Sequence, residues 1–320
     1  MNSSSKNEIT MNENLEIKVK EADLDTFLTV SFYYLDEIYQ KVKHLVKRPG
    51  PTPLFSDIEV ITLNIVGQMF TDSEKAWHSF IKKNYKYLFP CLVSRSRYHR
   101  RSKNLQQLTE VMRQILIKLL GMHRALWHVM DSMPLPVCVR VRASRNMRFC
   151  EDFDVDNELL YGYCASKKMK IYGFKLHLIV TRQGVPVHYV LAPAAHHDVN
   201  VAVDLVETYQ PNIIIGSDKG YIGLQKRMQH PENFHLIIPP KANQENKLNK
   251  QEKWFLAKYR KMVETTNSML TEQFNMQHTR AKSKWGLTNR IIAKLTGLTL
   301  AIYLNSIMGE PLLSVKELIF

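Results

Sequence analysis

Apolar positions recur with one period in the first third of this chain and with another beyond it. From Leu24 to Val46 the residues Leu24, Phe27, Leu28, Phe32, Leu35, Ile38, Tyr39 and Val42 fall at three- and four-residue spacing, which predicts an amphipathic helix. Arg48-Pro49-Gly50-Pro51-Thr52-Pro53 ends it, because proline lacks the N–H and the free φ that a helix needs, and the segment reads as a stiff linker. Ser56 opens a second helix: Glu59 completes a capping box ahead of Ile58, Ile61, Leu63, Ile65 and Val66. A shorter helix is expected near Ser73 to Tyr85, and another through Leu105, Leu108, Val111, Ile115 and Leu119. Residues 1–16 are polar and read as a disordered tail, so 17–120 is expected to be an all-α region.

After Gly121 strands and helices alternate. Leu126 to Met130 reads as a buried strand that delivers Asp131 and Ser132. Residues 140–166 are first basic, then acidic, and read as a long loop. Phe174 to Val180 and Val185 to Leu191 alternate around Arg182-Gln183-Gly184, a hairpin with glycine at the turn. Asp198 is expected to cap a helix through Val201, Val203, Leu205 and Val206. Ile213-Ile214-Ile215 then run into Gly216-Ser217-Asp218-Lys219-Gly220-Tyr221, as when a buried parallel strand carries an acid to the open end of a sheet. Taken alone, Asp218 is equally well read as a cap. A helix near Leu224 to Met228, a strand Phe234 to Ile238, and helices Trp254 to Phe274 and Leu287 to Ile307 complete the pattern. The order predicts an α/β fold: an RNase-H-like mixed sheet flanked by helices over 121–310, preceded by the all-α region and followed by a tail over 311–320.

Charge narrows the class. The net charge is +14 and the pI about 9.5, which suits a polyanionic partner such as nucleic acid. No apolar run reaches membrane-spanning length and the N-terminus has no apolar signal core, so the expectation is a cytoplasmic, nucleoid-associated protein with no membrane partner. The four cysteines form no C-x-x-C pair and suit a reducing compartment. Asp152, Asp154 and Asp156 imitate a calcium loop, but Asn157 and Tyr163 stand where glycine and glutamate are needed. His196 and His197 lack the spacing and the thiols of a zinc site.

Two basic stretches are candidate DNA contacts. Arg95, Arg97, Arg100 and Arg101 lie within Ser94 to Lys103, where a helix-turn-helix module would neutralise phosphates; a solvated basic face is the alternative. Lys241, Lys247, Lys250, Lys253 and Lys258, with Trp254 and Tyr259 among them, form the second stretch. Arg140, Arg142, Arg145 and Arg148 offer the same to the loop after Asp131.

Three acids stand where such a sheet would bring them together: Asp131 at the first strand, Asp218 at the end of the strand after the crossover helix, and Glu264 on a later helix. Hard oxygen ligands suit Mg²⁺ or Mn²⁺, and a pair of such ions is what phosphodiester chemistry uses. With 30 acids in the chain the spacing alone selects nothing; the strand and helix contexts do.

His128-Val129-Met130-Asp131-Ser132, Ser217-Asp218-Lys219-Gly220-Tyr221 and Arg260-Lys261-Met262-Val263-Glu264 resemble the three acid motifs of DDE transposases of bacterial insertion sequences. Phe55 to Thr62 and Ser94 to Tyr98 are similar to the insertion sequence 982 family in particular. The resemblance implies that Asp131, Asp218 and Glu264 hold two Mg²⁺ ions. It also implies cutting of element ends, transfer of the freed 3′-OH to target DNA, and a homodimer that synapses two terminal inverted repeats. Arg260 would bind a phosphate or orient Glu264. The pattern Tyr-x2-Arg-x3-Glu-x6-Lys is kept only at Arg260 and Glu264: Tyr259 adjoins the arginine and Thr271 replaces the lysine, so no DNA contact carries over there. A metal-dependent nuclease that cuts without joining, and an inactive DNA-binding relative, are the rival readings.

Overall fold

The computed structural model describes residues 23–47, 50–164, 168–240 and 248–319. The expected tail over 1–16, Arg48 and Pro49 of the linker, and Lys241 and Lys247 of the second basic stretch lie outside the described residues. The chain forms two compact units, residues 1–120 with 288–320 and residues 121–287.

The first unit begins with helix α1 (Leu24–Val42), capped by Asp23, whose Oδ1 accepts from Thr26 N at 3.1 Å. Helix α2 (Asp57–Phe70) starts at the expected capping box: Ser56 Oγ accepts from Glu59 N at 3.2 Å while Glu59 Oε2 accepts from Ser56 N at 2.6 Å. Helix α3 (Glu74–Asn84), helix α4 (Arg95–Asn104) and helix α5 (Gln106–Leu119) follow. The arginine cluster thus has a helix of its own, which meets α5 at Leu105.

The second unit is built on strand β1 (Trp127–Pro136). A short helix α6 (Arg148–Phe153) and strand β2 (Tyr161–Cys164) follow, then β3 (Met169–Thr181) and β4 (Pro186–Pro193). Helix α7 (Asp198–Tyr209) leads to β5 (Ile213–Gly216), β6 (His235–Ile237) and helix α8 (Lys250–Glu272). The sheet order is β2-β3-β1-β5-β6, with β4 paired to β3. β1 is antiparallel to β3 and parallel to β5, and β5 is parallel to β6. The sheet is mixed, as expected. β5 accompanies β1 only from Trp127↔Ile213 to Met130↔Gly216, so Pro134 and Pro136 fall where β1 keeps β3 alone as partner and a missing N–H costs no ladder bond on the β5 side. Gly184 makes the β3–β4 turn at φ +85°.

Alternation along β1 fixes which helix each residue meets. Trp127 stacks on Phe255 of α8 with ring centroids 4.3 Å apart, whereas His128 Nε2 lies 3.0 Å from Tyr209 Oη of α7. Asp131 therefore faces α8 and Ser132 faces α7. Val263 and Leu270 on α8, and Ala202 and Leu205 on α7, are fully buried.

Helix α9 (Lys284–Ile307) returns the chain to the first unit, where α10 (Val315–Ile319) closes it. Residues 291–300 are all buried, so this helix needs cover on every side. The helices of the first unit meet it: Asn64 Nδ2 donates to Asn289 Oδ1 at 3.2 Å, and Arg290 Nη1 donates to Asp72 O at 3.0 Å.

Several expectations change. The domain expected over 121–310 ends as a compact unit at Leu287. The segment 311–320, expected as a tail, contains α10, with Val315 and Leu318 buried. The loop expected over 140–166 holds α6 and β2, because Phe149, Cys150 and Leu160 anchor it in the core. No helix forms at Leu224 to Met228. Asp198 is the first residue of α7 rather than its cap, which is His197 without a side-chain bond.

Candidate active site

Parallel pairing brings Ser217, the residue before the second acid, beside the first. Met130 pairs with Gly216, and Ser217 N donates to Met130 O at 3.1 Å, so Ser217-Asp218 emerges next to Asp131. Asp131 lies within β1, not beyond its end. Gly216 allows a close approach: a Cβ there would stand 3.0 Å from Cδ2 of Tyr221, whose ring is fully buried. Asp218 also acts as a cap, accepting at Oδ1 from Gly220 N at 2.6 Å to start the turn Lys219–Tyr221. Capping occupies one oxygen and leaves Asp218 on the wall of the cavity described next.

A cavity of about 500 Å³ at this end of the sheet is lined by Asp131, Asp218, Glu264, Asp198, Lys175 and Asn267, among others. Asp131 is gripped from two sides. Ser217 Oγ donates to Oδ1, and Asn267 Nδ2 donates to Oδ2 at 2.7 Å. Burial pushes the Asp131 carboxyl up to about 6; the Ser217 hydroxyl pulls it back, and the nearby Asp218 and Asp198 raise it further. Its hydrogen-bond partners are neutral, so its charge is not compensated by a paired cation.

Glu264 is placed differently. It is 56 % exposed and accepts at Oε1 from Arg260 Nε at 2.9 Å, the i,i+4 pair expected from the spacing. Among the described residues, no three His, Cys, Asp or Glu side chains stand close enough together to hold a metal ion. The three acids share one cavity, with Glu264 turned to its arginine. The donor chemistry nevertheless fits a hard divalent cation: Asp131 and Asp218 both line the cavity with carboxylate oxygens, and Asp131 is buried without a cation.

The basic residues divide. Arg95, Arg97 and Arg100 are exposed on α4. Arg101 is not available in the same way: Nη2 donates to Asp57 Oδ1 at 2.7 Å and Nη1 to Phe55 O at 2.6 Å, which ties α4 to the start of α2. Lys253 is exposed, and Lys258 Nζ sits 4.6 Å from the ring centroid of Trp254. Ser217, Asn267, Asp198 and Lys175 were not among the expected site residues. Asn267, three residues after Glu264 on one helix, could have been found from helical spacing; the other contacts are made across the sheet.

No helix among the described residues is long and apolar enough to cross a membrane. No curated protein and no solved structure matches the chain. The family described as "Transposase DDE domain" matches residues 129–300, more than half of the 320 residues, from the strand of Asp131 through the whole of α8 and most of α9. The chain belongs to the transposase DDE-domain family.

Proposed function

We propose that this transposase cuts the ends of an insertion sequence and joins the freed 3′-OH to target DNA, with Asp131, Asp218 and Glu264 as its acids. The observation that carries the reading is the shared cavity: one acid within β1, a second just beyond the end of the parallel neighbour β5, and a third on the helix that hydrogen-bonds the first. We read the sheet as an RNase-H-like core and the chain as a member of the insertion sequence 982 family. DNA would be held by Arg95, Arg97 and Arg100 of α4, by Lys253, Lys258 and Arg260 of α8, and by Lys241. Two copies would bring two element ends together, in the nucleoid.

The acids would hold two Mg²⁺ ions, or Mn²⁺, which when bound supply activation of the attacking oxygen and charge stabilisation at the leaving oxygen. The rest falls to the chain. Ser217 and Asn267 each occupy one oxygen of Asp131, fixing the carboxylate plane without spending its remaining lone pairs. Arg260 holds Glu264 at the cavity rim, and a rotation about the exposed Glu264 side chain, with the guanidinium passing to a phosphate, would bring the third carboxylate inward.

The test is cleavage of a supercoiled plasmid that carries the gene with its flanking DNA, followed by strand transfer of pre-cut ends. The wild-type chain should cut and join in Mg²⁺, and Asp218→Asn should do neither while still binding the DNA. Cleavage without joined product would make the protein a nuclease of the same family. Unchanged cleavage by Asp218→Asn would remove the metal-site reading altogether.

A further inference from the structure

On the α7 side of the sheet end lies a polar group that the three acids leave unexplained. Lys175, in the middle of β3, donates from Nζ to Asp198 Oδ1 at 2.8 Å and to His196 O at 3.0 Å. Asp198 Oδ2 in turn accepts from Ser132 Oγ at 3.1 Å, and Ser132 follows Asp131 in the chain. The Lys175 and Asp198 side chains are only 16 % and 19 % exposed, and both line the cavity shared by Asp131 and Asp218. The two aspartates flank Gly220: the position of a Cβ there would be 2.8 Å from Asp218 Oδ1 and 3.5 Å from Asp198 Oδ2.

Stability is a poor reason for this arrangement. Withdrawing an ammonium and a carboxylate from water costs about as much as their attraction returns, and an apolar pair would hold the strand and helix together as well. Position explains it better. An ammonium has three N–H donors, and two have protein partners here. The third is available to an anion in the cavity. A lysine held from two sides has also lost its rotamer freedom before any ligand arrives, so that cost does not fall on binding. Arg260, also on the cavity wall, is half exposed and spends Nε on Glu264.

We propose that Lys175 is a phosphate-binding residue of the reaction centre, contacting a non-bridging oxygen of the DNA backbone, and that Asp198 is the positioning residue that holds it there. The inference rests on the reading of this cavity as the place of phosphodiester chemistry.

The experiment uses the full chain and the variants Lys175→Gln, Lys175→Arg and Asp198→Asn. Affinity for a fluorescent random-sequence DNA duplex is measured in EDTA across a salt series. The logarithmic salt slope of Lys175→Gln should be shallower by about 0.9, the release of one phosphate contact, while Lys175→Arg stays parallel to wild type. Cleavage of the plasmid with its flanking DNA is then followed while Mg²⁺ is titrated. Asp198→Asn should lower kcat on the order of 100-fold through misplacement of Lys175, with the half-saturating Mg²⁺ concentration unchanged. A wild-type salt slope in Lys175→Gln overturns the phosphate contact. A raised Mg²⁺ requirement in Asp198→Asn, with neutral Lys175 variants, makes Asp198 a metal ligand and overturns its positioning role. A melting temperature of Lys175→Gln close to that of wild type checks that its change in slope is not a loss of fold. If the wild-type chain cuts nothing, the proposed function fails, yet the salt series still decides the role of Lys175.

Discussion

Asn267 donates its side-chain amide to Oδ2 of Asp131 at 2.7 Å, so the helix that carries Glu264 is fastened to the strand that carries the first acid. The bond spans 136 residues of sequence and sets how far α8 can slide along the sheet. Asn267→Ala should lower stability by about 1–3 kcal/mol, because a buried carboxylate oxygen is left without its donor. Asn267→Asp goes further by placing a second carboxylate against Asp131. In EDTA its melting temperature should fall below that of Asn267→Ala, and added Mg²⁺ should raise it more than it raises wild type. An equal Mg²⁺ response in the two proteins would contradict a cation held at Asp131.

Arg101 and its neighbours on α4 should separate cleanly. Arg101 bonds the buried Asp57 and the Phe55 carbonyl, so Arg101→Ala removes a charged donor from a carboxylate at 6 % exposure and should lower stability by about 1–3 kcal/mol. Arg97→Ala and Arg100→Ala remove exposed side chains from the same helix and should leave the melting temperature within about 1–2 °C of wild type. Both should weaken duplex binding and reduce its salt slope by about 0.9 each. Calorimetry beside a salt-dependent binding series checks the division, and loss of stability in Arg97→Ala would count against an outward role.

The expected elements that held in the structure are those whose evidence is local. The capping box at Ser56 and Glu59 and the triple isoleucine before Asp218 carry their structure in a few adjacent residues. The parallel pairing that sets Ser217 beside Asp131 follows from strand order. Failures came where a distant partner decides. Asp198 has the sequence context of a cap, but Lys175 and Ser132 bond its oxygens across the sheet. The segment 140–166 reads as a loop because Phe149 and Leu160 are anchored in a core that other segments build. Leu287 to Ile307 shows a helix plainly, but apolar residues all round it do not say which unit covers them.

Lys294 makes a pH-dependent prediction for the first unit. Burial lowers its pKa from 10.5 to about 8, against the pull of the nearby Asp72. The folded chain therefore holds this proton more weakly than the unfolded chain does. Between about pH 8 and pH 10.5 the unfolded state binds more protons at this site, so its contribution to stability rises with pH. Lys294→Met should melt higher than wild type at pH 7, and the gap should narrow as the pH approaches 10. Denaturant titrations of both proteins from pH 7 to pH 10 would show it; a gap that widens with pH would refute the assignment.

The first unit is assembled from both ends of the chain, residues 1–120 and 288–320, with the whole of the second unit encoded between them. On the ribosome the order of completion is therefore reversed from the order of synthesis. The helices that start the chain are made first but must wait for α9, which supplies Asn289 to Asn64 and Arg290 to the Asp72 carbonyl. The sheet unit has all its residues by Leu287, within the first turn of α9, and can close while the rest of that helix is still in the exit tunnel. Interrupted translation near residue 287 would release a chain whose acid-bearing half is complete and whose arginine-bearing half lacks its central helix. An unfinished product would then hold Asp131, Asp218 and Glu264 but no stable frame for α4.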